Sequence, residues 1–157
     1  MTAVILLDEL KKFIEENTKD IILSVRIKQN SEEPNERPAE VHKMRLPDKD
    51  AETKRIPYIL LQFLTGKDDQ EEGQSPESEC KVRIVVATYS EDGGEGAMDV
   101  LNLLTRIRIA LLKIGVIGGQ FLIKKPLEYI VYPDDTAPYF MGEMLTIWEI
   151  PEIEREV

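Results

Sequence analysis

Apolar residues recur every three or four positions at the start of the chain, and lysines and glutamates occupy the opposite side of the same helical projection. This pattern predicts an amphipathic helix over residues 3–17. A second, longer helix is predicted over 97–114, where Gly115 supplies a terminator. The apolar positions of the first helix are Leu6, Leu10, Phe13 and Ile14.

Alternating or continuous apolar runs predict strands between and after these helices. The runs 56–64 and 81–89 flank an acidic segment, so they should pair as an antiparallel hairpin with a long tip. The acidic loop itself is predicted over Asp68 to Glu79, with six acids and no base. Further strands are expected at 21–27, 121–123, 127–132 and 140–150.

The region 29–55 is predicted to be a flexible arm or a projecting hairpin around a weak extended stretch at 39–46. It holds three prolines, a surplus of charge and few large apolar side chains, so it has little to pack with by itself. We therefore expect it to be poorly ordered, or to order on a neighbouring subunit.

The order of these elements predicts one α+β domain over 1–157. We expect an antiparallel sheet of about four strands with two helices packed on one face, plus the projecting arm. The run 56–64 is apolar on both sides and is interrupted only by Gln62. Two helices cover one face of a sheet, so the other face needs either a partner or the folded-back arm. The first alternative indicates an oligomer.

Composition narrows the function classes. A chain of 157 residues with 42% hydrophobic content fits one globular domain. Its net charge of −10 disfavours a nucleic-acid backbone as the direct ligand, because phosphate contacts need clustered Lys and Arg. The apolar run Val4 to Leu7 is broken at once by Asp8 and Glu9, so neither a signal segment nor a membrane span is expected.

One cysteine and one histidine offer little chemistry. Cys80 is the single cysteine, so it cannot form a disulfide within the chain. Together with the single histidine, His42, it cannot supply a Cys/His zinc site. A reducing, cytoplasmic setting is the simplest expectation. Neighbouring acids should raise the pKa of the Cys80 thiol, so a structural cysteine is expected. His42 is expected to be solvated or packed rather than catalytic. No cofactor and no metal are predicted.

The glycine-rich segment 90–99 joins a predicted strand to the second helix, where a phosphate-binding loop would lie. It lacks the Lys and Ser/Thr of such a loop, so a glycine turn with acids at the helix N-terminus is favoured. A weak calcium site from Asp92, Glu95 and Asp99 stays open. The pairs Asp68 with Asp69 and Asp134 with Asp135 read as turn acids rather than acid–base pairs.

Aromatic residues cluster in the last third of the chain, and without interleaved bases they indicate core or protein interface rather than a stacking platform for nucleic acid. Arg108 is predicted to lie among leucines on the second helix. It should therefore pair with Glu128, Glu143, Glu149 or a neighbouring subunit, or extend out past the sheet. The predicted interface residues are Arg106, Arg108, Tyr139, Trp148, Asp68 and Asp69.

A family resemblance rests on a succession of segments between Ile56 and Ile153: RIPYILLQFLTGKD, KVRIVVATYSED, MDVLNLLTRIRIALL, GGQFLIKKPLEY and PYFMGEMLTIWEIPEI. The succession resembles small prophage proteins encoded among head-to-tail joining genes, whose architecture is similar to that of bacteriophage tail terminators, a class of minor tail protein. The arm 29–55 departs from the short forms of this family.

The resemblance implies a non-catalytic structural protein of the virion tail, assembled in the cytoplasm of the bacterial host. Such a protein forms a homo-oligomeric ring, commonly hexameric, at the head-proximal end of the tail. Its partners would be further copies of itself, the tail-tube protein and the head–tail connector, and no cofactor is implied. The alternative is a small ligand-binding domain or enzyme that uses the 90–99 loop.

Overall fold

The computed structural model describes residues 2–25, 36–47, 56–133 and 136–156, and the structural statements below refer to these ranges. Two helices and eight strands are formed. They are α1 (Thr2–Thr18), β1 (Leu23–Ser24), β2 (Glu36–Arg37), β3 (Glu40–Lys43), β4 (Tyr58–Asp69), β5 (Glu77–Tyr89), α2 (Gly93–Ile114), β6 (Val116–Ile117), β7 (Phe121–Val131) and β8 (Tyr139–Glu149).

The main sheet has six strands in the order β3-β4-β5-β8-β7-β6, and β1 pairs with β2 in a separate two-stranded sheet. The predicted α+β class with two helices is confirmed. The predicted size of about four strands is wrong, and so is the purely antiparallel order, since β3 pairs with β4 in parallel. The two extra strands are β3 and β6, which contain only four and two residues and so carry no long apolar pattern.

The extended stretch predicted around 39–46 is a strand, but it joins the main sheet instead of projecting from it. β3 pairs with β4 from Glu40↔Tyr58 to Lys43↔Leu61, and Val41 is buried in the main core. Residues 29–35 and 48–55 lie outside the described residues, so the flexibility or exchange of that part of the arm stays a prediction.

The predicted antiparallel hairpin is confirmed, with a shorter tip than expected. β4 and β5 pair from Tyr58↔Ala87 to Asp69↔Glu77, so the connection covers only 70–76. The buried Ser78 hydroxyl donates to Asp68 at 2.6 Å. The residues at both ends of the predicted acidic loop therefore belong to strands. Asp68, Asp69 and Glu77 remain exposed there, so strand pairing does not bury their charges.

Both helices pack on one face of the main sheet and enclose the main core. α1 buries its predicted apolar side through Leu6, Leu10 and Ile14. α2 begins four residues before its predicted start and ends as predicted at Gly115, whose N–H donates to the Leu111 carbonyl at 3.0 Å. No helix in the described ranges is long and apolar enough to cross a membrane. The α2 side chains in this core are Val100, Leu103, Leu104, Ile107 and Leu111.

Two glycines let α2 lie close against β8. A Cβ built on Gly142 would be 2.8 Å from the Ile130 carbonyl oxygen and 2.8 Å from Val100 Cγ1. A Cβ on Gly96, at the start of α2, would be 2.2 Å from the Phe140 ring. None of these three distances is compatible with a side chain, so the spacing of β8 from α2, and from β7 at Gly142, depends on these glycines.

We expect Gly142→Ala to lower the free energy of unfolding by about 1–3 kcal/mol, because the neighbouring backbone carbonyl cannot move as a side chain would. The control is Gly94→Ala, whose new Cβ would make an ordinary contact of 3.5 Å with Asp92 Oδ1. Urea denaturation of both variants measures the difference. Equal stability would mean that the spacing of α2 and β8 does not depend on Gly142.

Candidate functional site: the open face of the sheet

The face of the main sheet opposite the helices, here called the open face, carries a second apolar cluster. Its centre is buried and lies on β4 and β5, as the two-sided pattern of 56–64 predicted. The segment 44–47 folds back over this half through Leu46. The cluster consists of Ile56, Tyr58, Leu60, Val85 and Ala87, with Leu46, Tyr89, Tyr139 and Met141 packed against it.

The other half of the open face, on β7 and β8, keeps large apolar side chains in solvent. Ile130 is 50% exposed, and Leu122 and Leu145 are also exposed. Strand register places Ile130 beside Glu143, and Glu143 beside Val85 of the buried half. Glu143, which is ion-paired with Arg83, therefore lies between the covered apolar half of the open face and the uncovered half.

A cleft of about 420 Å³ lies between segment 44–47 and the open face, and we call it the sheet cleft. Arg45, which belongs to segment 44–47, lies at the side of the cleft and is exposed. Gln62 and Arg83 line its polar end. The apolar lining on the sheet is formed by Tyr58, Leu60, Val85 and Met141.

Arg83 joins several strands at the polar end of this cleft. Its Nε donates to Glu143 Oε2, its Nη1 to Gln62 Oε1 at 3.3 Å and its Nη2 to the Tyr132 hydroxyl at 3.2 Å. The hydrogen bond to Tyr132 and the contact with Glu143 raise the pKa of Arg83. The guanidinium therefore keeps its charge while it ties together β4, β5, β8 and the end of β7. Sequence reasoning missed this role, although Gln62 and Arg83 are polar interruptions of apolar runs.

Arg106, one of the predicted interface residues, forms an exposed ion pair within the subunit. Its Nη1 donates to both carboxylate oxygens of Asp20, at 2.8 and 3.0 Å, and to the Asn17 carbonyl at 3.2 Å. This hydrogen bond lowers the pKa of Asp20. Arg106 thus holds α2 against the end of α1.

Arg108 is not at the centre of the buried side of α2, as the sequence suggested. It is half-buried at the edge of that side, and its Cζ lies 6.0 Å from the centroid of the Tyr129 ring. The expected partner Glu143 instead binds Arg83. Leu101, expected beside Arg108 on the buried side, is exposed. The predicted alternative, in which the Arg108 side chain extends outwards, therefore fits its position. Its guanidinium lies over the Tyr129 ring.

The remaining predicted interface residues are spread over the molecule. Trp148 is 0% exposed and donates through Nε1 to Thr146 Oγ1 at 2.8 Å, so it is a core residue and its assignment to an interface is corrected. Tyr139 lies on the open face, where its ring centroid is 5.7 Å from that of Tyr89. Asp68 and Asp69 are exposed near the tip of the β4–β5 hairpin.

The outer side of α2 forms a second exposed apolar surface, which we call the α2 stripe. Met98 is 62% exposed, and Leu101 and Ile109 are also exposed. At 100° per residue Met98 and Ile109 project opposite the buried side of the helix, and Leu101 lies at its flank beside Arg108. The sequence signal was present, since the apolar positions of α2 extend beyond the side that packs on the sheet, and such positions normally need a second contact.

The 90–99 segment is a capped helix N-terminus. Asp92 is the N-cap of α2, and its Oδ1 accepts from the N–H groups of Gly94 and Glu95 at 3.0 and 3.1 Å. Ser90 Oγ accepts from the Asp92 N–H at 3.1 Å. The favoured prediction of a glycine turn with acids at the helix start is confirmed. The cap carboxylate occupies donors that a phosphate would otherwise use.

No group of three or more His, Cys, Asp and Glu side chains in the described ranges is arranged to hold a metal ion. His42 Nε2 lies 3.2 Å from Glu40 Oε2, a neighbour that the sequence did not identify as its partner. Asp134 and Asp135 lie outside the described residues.

Cys80 is a buried core residue on β5, only 1% exposed. Burial and, to a smaller extent, the charge of Glu79 raise the pKa of its thiol to about 11. The predicted direction of the shift is confirmed. Its main cause is burial rather than the neighbouring charge on which the prediction was based.

The raised pKa of Cys80 gives a pH dependence. The unfolded thiol ionises near its ordinary pKa of 9.0, whereas the folded thiol keeps its proton up to about 11. Its contribution to stability is therefore complete below pH 9 and is lost as pH rises through 11. We expect the parent to lose up to about 1.4 kcal/mol per pH unit in this window relative to Cys80→Ala. The free energy of unfolding of both proteins is measured by urea denaturation between pH 9 and 11. If the two free energies change with pH in parallel, the assignment is contradicted.

Because Arg108 lies over an aromatic ring, Arg108→Ala should cost about 1 kcal/mol or less, far below the cost of stranding a buried carboxylate. A double-mutant cycle of Arg108→Ala with Tyr129→Leu should give a coupling free energy of about 0.5–1 kcal/mol in chemical denaturation. A loss of several kcal/mol in the single variant, with no coupling to Tyr129, would point to a buried ion pair instead.

Comparison with known proteins finds no family and a weak structural likeness. No protein-family model matches the chain, and no curated protein matches its sequence significantly. A solved structure of a protein whose name describes no function covers 98% of this chain and 95% of its own, with 14% sequence identity and a TM-score of 0.48. A likeness at this level carries no argument about fold or function.

Proposed function

We propose that this chain is a non-catalytic assembly protein that forms a homo-oligomeric ring and acts as a tail terminator of a long-tailed bacteriophage or prophage. In this role the ring binds the last layer of tail-tube subunits and offers its other side to the head–tail connector. The virion-specific part of the proposal rests on the resemblance of residues 56–153, whereas the self-assembling part has support in the surface of the molecule.

The observation that carries self-assembly is the pair of apolar surfaces on opposite layers of the fold. The open face exposes Ile130 and Leu145, and the α2 stripe exposes Met98 and Ile109. Exposed apolar groups of this kind, gathered on one surface, are typical of protein–protein contact sites. Two different surfaces on opposite sides favour a head-to-tail contact between copies, and such contacts close into rings when the rotation permits.

The edges of the main sheet favour contact through faces rather than through strand addition. Beyond Ile123, the outer edge of β7 pairs with no described strand, yet it contains Pro126, two lysines and a register shift between Lys124 and Glu128. Proline, lysine and bulges are the features by which natural sheets block further pairing. The outer part of β4 has a register shift between Phe63 and Thr65. Side-chain surfaces are therefore the better candidates for contacts between subunits.

The competing proposal is a small ligand-binding domain or enzyme that uses the 90–99 segment. The cap formed by Asp92 weighs against it, since the carboxylate already accepts two of the available N–H groups. A thermal-shift screen with nucleotides and divalent cations separates the two proposals. Specific stabilisation by any of these ligands, lost in Asp92→Ala, would favour the ligand-binding domain.

We expect Ile130→Lys on the open face and Met98→Lys on the α2 stripe to abolish ring assembly, because each places a charge in a contact that should exclude water. Both side chains are exposed in the subunit, so the melting temperature should change little. Val4→Lys is the matched control, since Val4 is 52% exposed and lies on α1, outside both surfaces. Analytical ultracentrifugation, alone and with tail-tube protein, measures assembly.

Mixing the two defective variants tests the head-to-tail arrangement. Each variant keeps one intact surface, so an equimolar mixture should form heterodimers through the intact open face of one copy and the intact α2 stripe of the other. Rings should not form. A parent chain that stays monomeric and fails to bind tail tubes at every concentration would overturn the proposed function.

A further inference from the structure

We propose that the segment 150–156 of one copy binds in the sheet cleft of a second copy, with Ile153 on the apolar lining of the cleft. This inference rests on the proposed self-assembly and names one of its contacts.

The segment leaves the sheet with an apolar side chain in solvent. The Ile150 N–H donates to the Ser78 carbonyl at 3.0 Å, and beyond it residues 151–156 have no regular structure and are exposed. Ile153 is 86% exposed, more than any other large apolar side chain in the described ranges. Burying such a side chain contributes about 1.5–3 kcal/mol, so a site that buries Ile153 would stabilise the bound segment by about this amount.

The sheet cleft matches this segment in polarity and charge. Its sheet side is apolar, and none of its described lining residues is an aspartate or glutamate. Arg83 already shares its charge with Glu143, so the available positive charge comes from the exposed Arg45. The segment is acidic, with Glu152 and Glu154 on either side of Ile153. An extended segment with Ile153 on the apolar lining therefore brings carboxylates near Arg45.

The strand register indicates that the segment belongs to a second copy. Leu60, Val85 and Glu143 are paired across the sheet, so the apolar lining is level with Glu143. Ile150 is held by Ser78 seven positions further along β8, which corresponds to about 23 Å of strand. Ile153 is only three positions beyond Ile150, and three residue steps span about 10 Å when fully extended. A copy's own Ile153 therefore falls short of its own cleft.

A contact of this kind is heterologous, because the segment and the cleft are different parts of the surface. Each copy can give its segment to one neighbour and receive a segment from another. Repetition of such a contact produces a ring when the rotation between copies closes.

The direct test is disulfide trapping between full-length chains of different mass. Ile153→Cys is placed in a tagged copy and Met44→Cys in an untagged copy, since Met44 lines the cleft and is 44% exposed. Mild oxidation of the mixture should give the mixed disulfide. The control replaces the Met44→Cys copy with Val4→Cys, since Val4 is 52% exposed on α1, outside both proposed contact surfaces. Cys80 contributes little background, because its thiol is buried.

Analytical ultracentrifugation of variants then measures how much each side chain contributes to association between copies. Ile153→Asp should weaken association about tenfold or more, because the apolar contact is lost. Arg45→Glu should weaken it about threefold to tenfold. Adding Glu152→Lys and Glu154→Lys to Arg45→Glu should restore most of that loss, which general destabilisation of the fold would not allow.

Three outcomes overturn the proposal. If rings form normally while the mixed disulfide stays at the control level and Ile153→Asp has no effect, the segment contact fails and the proposed function stands. If the double variant Met44→Cys/Ile153→Cys forms its disulfide within one chain, the segment occupies its own cleft. If the parent neither associates nor binds tail tubes, the inference fails together with the proposed function.

Discussion

The pairing of β5 with β8 is the interaction on which the rest of the fold depends. The two strands stay in register from Glu79↔Glu149 to Tyr89↔Tyr139 without a shift. Their alternate side chains supply the main core beneath the helices and, on the other side, the open face with its cleft. A slip of one residue would exchange the two faces and place Trp148 in solvent, so both apolar clusters act together to fix this register.

The elements with strong periodicity could be predicted from the sequence, and the short pairings could not. α1, α2 and the β4–β5 hairpin carry long, regular apolar patterns. β3 was taken for part of an arm because it offers little apolar surface; its position depends on backbone pairing with β4 and on the burial of Val41. Backbone hydrogen bonds are nearly independent of side-chain identity, so such a strand leaves little trace in the sequence.

The functional surface was predictable in outline only. A sheet with two apolar faces was visible in 56–64, whereas the cleft and the Arg83 contacts required the register of four strands. Arg108 and Leu101 were misplaced because the apolar positions of α2 extend beyond its packed side, so its periodicity does not define where the buried side ends. Trp148 was misplaced because aromatic residues are common in cores and in interfaces alike.

The blocked edges of the main sheet affect how fast a wrong contact between two copies of this chain would dissociate. Strand addition forms a ladder of cooperative backbone hydrogen bonds that accepts almost any partner sequence and is slow to dissociate. Contacts between side-chain surfaces discriminate by shape and charge, and a wrong contact dissociates quickly. If copies of this chain assemble as proposed, Pro126 and the bulge on β7 would therefore keep wrong contacts between subunits reversible until the assembly is complete.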